Sequence, residues 1–372
     1  MSNTYNKSTI KFYKVCLLLL QLIFLTLYGC VQIGPDLVQA GRNEYNKVLA
    51  QTNDEEMLLN LVRLRYSDNS VIMQVSSVST SFTWRQGVNV GSQIFTESGN
   101  DNTNIGPGGN LDYAEQPTIT YTPLAGADYV QKVLTPMEID TLTLLSTSGW
   151  SLERLLRVTV NRMNRLENAD NASGPTPIKA PKYQDFNHAA AILQRMQDQN
   201  AIVSGYLKEG EETFAGFRFI LESQNTTPVI ELSELLGLDP SAELIKLDTL
   251  AHLRRKDALG LEMRSLAGIS FFLSHGVQVP EEDALAGVVR TTSSADGKPF
   301  NWNEIFENFF IVRSQNERPN TAAVAVNYRG KWFYIDDTDI QTKYTFMLLR
   351  QLTQLQGGKT QTSGPLLTLP VR

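Results

Sequence analysis

Apolar positions recur at helical spacing in several stretches of the chain. Leu58, Leu61, Val62 and Arg65 fall on one helical face, with Met57 and Leu64 beside it. Thr52 stands where it can cap that helix, and Glu55 completes a capping box. Asp128–Leu145 reads as two helical pieces broken at Pro136. After a turn at Ser148-Gly149-Trp150, Leu152, Leu155, Leu156, Val158, Thr159, Met163 and Leu166 trace an amphipathic helix to about Asn168. Phe186, Ala190, Leu193 and Met196 mark another, and Leu232–Gly237 reads as one helical turn with a glycine cap. Glu262–His275 is apolar on most faces, as a buried helix is, and Gly276 closes it. Tyr344, Met347, Leu348, Leu352 and Leu355 line a last helix, capped by Thr338 with Gln341.

Other stretches have the two-residue period of strands. Val71–Trp84 is rich in β-branched residues and partly alternates, which predicts one or two strands. Pro117–Thr122 alternates again. Between them a polar run from about Glu97 to Asp112 reads as a long loop, with the flanking strands forming a hairpin around it. Val203–Lys208, Phe217–Leu221, Leu244–Leu250 and Phe310–Arg313 are further strand candidates. Ala322–Tyr328 and Lys331–Asp336 form a hairpin across Arg329-Gly330, with Val324, Val326, Tyr328, Trp332 and Tyr334 expected on one face.

This order of elements has no regular βαβ repeat. It predicts an α+β fold with mainly antiparallel sheets, and not a β-barrel, because helices separate the strands. The expected organisation is a leader over 1–29, a tether over 30–52, an α+β unit over 53–168, a Pro-rich linker over 169–184, a second α+β unit over 185–356 and a tail over 357–372.

The leader changes the picture. It carries Lys7, Lys11 and Lys14 and no acidic residue, followed by an apolar run from Val15 to Tyr28. A membrane-spanning helix needs about 17–25 apolar residues, so this shorter run suits the h-region of an export signal. It ends in Leu27-Tyr28-Gly29-Cys30. In these residues the chain resembles bacterial lipoproteins, whose lipobox places Leu, a variable residue, a small residue and then Cys. The resemblance implies cleavage before Cys30 and fatty acyl chains such as palmitate on Cys30. Because Val31 rather than Asp follows, it further implies the outer membrane of a Gram-negative bacterium, with the body in the periplasm. Cys16 leaves with the leader, so the mature chain would hold no free thiol and no disulfide.

Composition narrows the function classes. Hydrophobic residues make up 42% and charged residues 19%, which excludes a disordered chain. A net charge of -6 argues against nucleic acid as a partner. The three histidines, His188, His252 and His275, share no metal-ligand spacing, so structural roles are expected for each. Asp336, Asp337 and Asp339 form a cluster that a hard cation could use, but they stand where a helix begins, where carboxylates also serve as caps. Gly357-Gly358-Lys359-Thr360 lacks the upstream glycine of a phosphate loop. Glu281, Glu282 and Asp283 could do acid–base work or simply open a helix; Arg254-Arg255-Lys256 could meet an acidic partner or only solvent. Trp302, Trp332, Phe333 and Tyr334 could form a sugar platform or a packed core.

No catalytic constellation, cofactor motif or metal site emerges. The expectation is a lipid-anchored, non-enzymatic interaction or assembly component of the cell envelope with a protein partner. The alternatives are an envelope hydrolase using Asp and Glu, or a ligand-binding lipoprotein.

Overall fold

The computed structural model describes residues 17, 33–70, 73–97, 100–123, 126–220, 226–249 and 256–357. The leader, Cys30, His252, Arg254, Arg255 and the glycine-lysine segment after Gly357 lie outside the described residues. The chain folds as α+β, with ten helices and three sheets among the described residues. No helix among those residues is long and apolar enough to cross a membrane.

Helix α1 (Ile33–Arg65) opens the fold and delivers the chain to a pair of very long strands, β1 (Met73–Glu97) and β2 (Asn100–Pro123). At 33 residues α1 is ~50 Å long. It takes in most of the segment read as a tether, and Thr52 is therefore not its cap. Within the helix, the Thr52 hydroxyl donates back to the Val48 carbonyl at 2.8 Å.

Helix α2 (Gly126–Tyr129) runs into a π-helical turn, Val130–Leu134, and α3 (Ile139–Thr147) follows past Pro136, as the break there predicts. Helix α4 (Leu152–Thr159) is capped by Ser151, whose hydroxyl accepts from the Arg154 N–H. It stops well short of Asn168. The next residues form β3 (Val160–Met163) and β4 (Leu166–Glu167), because the β-branched Thr159-Val160 pair meets a neighbouring strand there: Arg264 N–H bonds the Thr159 carbonyl at 2.7 Å.

Helix α5 (Gln184–Asp198), strands β5 (Ile202–Glu209) and β6 (Glu212–Phe219), helix α6 (Thr227–Leu236) and strand β7 (Leu244–Asp248) come next. Gly237 ends α6 in the left-handed region at φ 70°. The expected helix over 262–275 divides into strand β8 (Ala258–Met263) and helix α7 (Leu266–Ser274), the latter capped by Ser265. Short helices α8 (Glu281–Leu285) and α9 (Asn303–Phe306) lead to strands β9 (Arg313–Gln315), β10 (Ala322–Tyr328) and β11 (Lys331–Asp336). Helix α10 (Ile340–Gly357) closes the described chain.

The central sheet has six strands in the order β4-β3-β8-β7-β6-β5, with one parallel pair, β7 and β8. A three-stranded sheet runs β10-β11-β9. The β10–β11 hairpin turns at Arg329-Gly330, both at positive φ, as a two-residue turn of this hand requires. That turn pairs Tyr328 with Lys331 and therefore Val326 with Phe333. Val324, Val326, Phe333 and Ile335 are buried together, and Trp332 and Tyr334 stand on the opposite face, one step out of the expected phase.

One contiguous apolar core runs from Leu58 in α1 to Leu352 in α10 and takes residues from both expected units. The Pro-rich segment between them is packed rather than free: Ala169 and Ala172 are fully buried and Lys179 bridges to Ser293. Arg264 sits inside this core at 1% exposure. Its guanidinium donates to Ser173 Oγ at 2.8 Å, to the carbonyls of Arg157 and Val158 at 2.8 and 3.3 Å, and to the Asn168 carbonyl. It also lies 4.0 Å over the Phe272 ring. One side chain thus ties the end of α4, the Asn168–Ser173 turn and α7. Burial pushes its pKa down to about 9.

Candidate functional site

The sequence-derived candidates scatter across the body. Asp336 accepts from Thr338 N–H at 2.9 Å and its hydroxyl at 2.6 Å; Asp339 caps α10 by accepting from Thr342 N–H at 3.0 Å. Asp337 pairs with Lys343 at 2.6 Å. Each carboxylate is engaged separately, and no group of three potential metal-ligating side chains occurs among the described residues. The cap of α10 is Asp339 rather than Thr338, and Gln341 binds Arg154 instead of closing a box.

Glu281 and Glu282 border an open surface depression of about 600 Å³, also lined by Leu285, Gln315, Asn316 and Lys331. Lys331 pairs with Glu282 and reaches Asn316 at 2.5 Å. Asp283 is turned to Tyr66. Of the aromatic candidates only Trp332 and Tyr334 share a face, the one opposite Phe333 on β11. Phe333 is fully buried, Trp332 carries Arg318 at 5.3 Å over its ring, and Trp302 stacks on His275 at 4.2 Å.

His275 is 3% exposed, and its ring nitrogens have no hydrogen-bond partner of ordinary geometry among protein atoms. Burial, with Arg65 nearby, pushes its pKa down to about 3; the backbone of Ala172 offsets a little of this. His275 is thus a neutral core ring. His188 is exposed and pairs with Glu231 at 2.6 Å. These are structural positions for both histidines.

The feature that stands apart is the β1–β2 ribbon. Its strands pair antiparallel along their whole length, from Met73 opposite Pro123 to Glu97 opposite Asn100, and residues 98 and 99 between them lie outside the described residues. The segment read as a polar loop is therefore strand. Glycine, asparagine and proline conceal it, since each scores poorly as a strand former when read in isolation. At about 3.3 Å per residue the ribbon is ~80 Å long. It forms a two-stranded sheet, so the outer edge of each strand pairs with no other strand among the described residues.

Register sorts its residues into two faces. A bulge at Ser76 shifts the alternation by one, because Val75 pairs with Tyr121 and Ser77 with Thr120. Met73 and Val75 before the bulge thereby share a face with Val78, Phe82, Trp84, Val88, Val90 and Ile94 after it. Their cross-strand partners include Tyr121, Ile119 and Tyr113, and Leu111 and Ile105 occupy the same face. The other face carries Ser77, Ser79, Ser81, Thr83, Arg85, Gly87, Asn89, Gly91 and Gln93, opposite Thr120, Thr118, Gln116, Ala114, Asp112, Asn110, Gly108, Gly106 and Asn104. The first face is mainly apolar, with Thr80, Gln86, Ser92, Thr96, Glu115, Thr103 and Asp101 among its residues, and the second is polar apart from Ala114 and Phe95.

The chain that leads into and out of the ribbon is held by the body. Tyr66 donates to Asp283 at 2.5 Å and packs edge-on against Tyr328 and Phe333. Asp68 accepts from Tyr328 and pairs with Arg329 at 3.2 Å, and these contacts, Tyr328 first, hold its carboxyl below the usual range. Where the chain returns, Pro136 bridges to Ser265 and Met137 N–H bonds the Arg264 carbonyl at 3.0 Å. The chain on either side of the ribbon is thus tied to the core, at Tyr66 and Asp68 before it and at Pro136 and Met137 after it.

No protein-family model matches the chain, no curated protein matches its sequence, and no solved structure matches its fold.

Proposed function

We propose that this protein is a lipid-anchored component of the bacterial cell envelope, held to the outer membrane through acylated Cys30, and that it acts by assembling with protein rather than by catalysis. The observation that carries the assembly reading is the ribbon: two long strands that pair with each other and with no other strand among the described residues. An isolated two-stranded ribbon is marginal in water, so such a structure is built to be completed by a partner. The lipobox at Leu27–Cys30 supports the anchor. The body adds support of another kind, since Asp339 serves as a cap, Asp337 and His188 as members of ion pairs and His275 as a core group.

Mass spectrometry of the amino-terminal peptide from native membranes tests the anchor. The expected species begins at Cys30 and carries the mass of the acyl chains. A mature protein that keeps residues 1–29, or begins elsewhere without lipid, overturns it.

A further inference from the structure

We infer that the β1–β2 ribbons of several copies of this chain pair edge to edge and close a β-barrel that crosses the lipid bilayer, apolar face to lipid and polar face to a water-filled lumen. The inference rests on the membrane-anchored reading above and adds what the ribbon does there.

Four observations converge on it. First, the two faces differ in the sense a barrel wall needs: Val78, Phe82, Trp84, Val88, Val90 and Ile94 of β1 fall at outward positions, with Thr80, Gln86 and Ser92 the polar interruptions between them, while the inward positions from Ser77 to Gln93 are all polar or glycine. A strand pair covering a soluble core would need a helix or sheet against its apolar face, and among the described residues each of these strands packs extensively only on the other. Second, the bulge at Ser76 keeps the apolar residues in phase on either side of it, so the pattern is maintained through an irregularity that would otherwise invert it. Third, the charges mark out a membrane-sized band. On the apolar face Glu115 stands opposite Phe82 and Asp101 opposite Thr96; from Trp84 to Ile94 and across to Tyr113 and Thr103 that face holds no charge. A tilted strand crosses the hydrocarbon in about 9–11 residues, which is the span from Trp84 to Ile94. Phe82, Trp84 and Tyr113 gather at one boundary of that band, where barrels carry an aromatic girdle. Fourth, the band's polar face holds Arg85 opposite Asp112, then only Gly, Asn, Gln and Phe95 before Glu97. That is a neutral, small-residue lining suited to water.

Two open edges per copy make closure an oligomer problem. In lipid every backbone N–H and C=O needs a partner, so an open sheet cannot span and the edges must meet edges. Each copy supplies two strands, and since the smallest membrane barrels have about eight, at least about four copies are required.

The test uses the full-length acylated protein purified from membranes and reconstituted into phosphatidylethanolamine and phosphatidylglycerol vesicles. With Cys30 acylated, a cysteine introduced in the ribbon is the sole free thiol of the mature chain. A water-soluble maleimide should label Asn89→Cys, Gly91→Cys and Gln93→Cys at least ten-fold faster than Val88→Cys, Val90→Cys and Ile94→Cys. The same preparation should migrate as a multiple of this one chain and give stepwise conductance in planar bilayers. Val90→Asp should abolish the steps, and Asn89→Asp should retain them. Equal labelling at successive positions, a monomer in the membrane, absent conductance, or an oligomer containing a different chain each overturns the barrel. None of these outcomes bears on the lipid at Cys30, which the amino-terminal mass reads separately.

Discussion

The body and the ribbon of this protein satisfy the same physical demands in opposite ways. In the body a buried strand or helix finds its partners within the chain: the six-stranded sheet, the core from Leu58 to Leu352 and the Arg264 hub close on themselves. In the ribbon the same chain builds strands of 25 and 24 residues with one mainly apolar face, and among the described residues no third strand pairs with either edge. Since backbone groups and apolar surface both cost free energy when left incomplete, the body explains its own stability and the ribbon does not. Self-sufficiency, rather than secondary structure, is what separates the part that holds from the part that joins.

The comparison breaks first if the body is not the self-contained unit described. Replacing Arg264 with Met removes the donors to three main-chain carbonyls and to Ser173. The Arg157 carbonyl would keep Asn168 Nδ2 and Ser173 its bond to Asn161, but the Val158 and Asn168 carbonyls would lose this buried donor, so urea unfolding should show a loss on the order of 3–5 kcal/mol. A loss below ~1 kcal/mol would mean that the hub is not holding α4, the Asn168–Ser173 turn and α7 together.

A second measurement reads the body's interior by pH. His275 has a folded pKa of about 3, below its value in the unfolded chain, so the unfolded state takes up the proton first as pH falls. The stability this ring contributes is complete above about pH 6.5 and declines as pH drops toward 3. Between pH 6.5 and 4.5, above most carboxylate titration, the slope should approach ~1.4 kcal/mol per pH unit. His275→Phe should flatten that window, as seen in urea midpoints across a pH series. An unchanged slope would place the ring in water.

Close approach in the body gives the next effect. A Cβ at Gly276 would lie 2.5 Å from the Phe310 carbonyl oxygen, so Gly276→Ala should cost ~1–3 kcal/mol in thermal or urea unfolding. At the junction with the ribbon the effect is smaller. Tyr328→Phe removes the hydroxyl that Asp68 accepts from, next to the ribbon root, and should cost about 1 kcal/mol. The root should loosen with it, read as faster amide exchange at Ser67 and Asp68.

What could be read in advance follows the same division. The β10–β11 hairpin was legible because two alternating runs flank a two-residue turn with a glycine; its buried face was misphased because the turn, not the apolar residues, sets which positions pair. Helix α5 and the glycine end of α6 were legible from local pattern alone. The switch from α4 into β3 was not, since Val160 and Met163 suit a helical stripe as well as a strand. The distal ribbon was least legible. Its evidence is a match between positions on two strands, Val88 with Gly109 or Asn89 with Gly108, and no window along one strand contains it. The acidic trio over 336–339 shows the converse: a cluster visible in sequence that the fold divides into a turn, an ion pair and a cap.

The smallest expected effect sharpens the comparison most. Val90 lies on the apolar face of the ribbon, far along the chain from both roots, and its register partner is Pro107 rather than any residue of the body. An aspartate there should leave the body untouched. Amide exchange of the most protected positions in β8 and α7 should change by less than about two-fold, equivalent to ~0.4 kcal/mol, the range of a substitution remote from any core. A ten-fold acceleration would make the ribbon part of the body's cooperative unit, and the open edges would then need an explanation within the single chain. With exchange unchanged, any loss of association caused by Val90→Asp belongs to the ribbon alone, and the body is its mount.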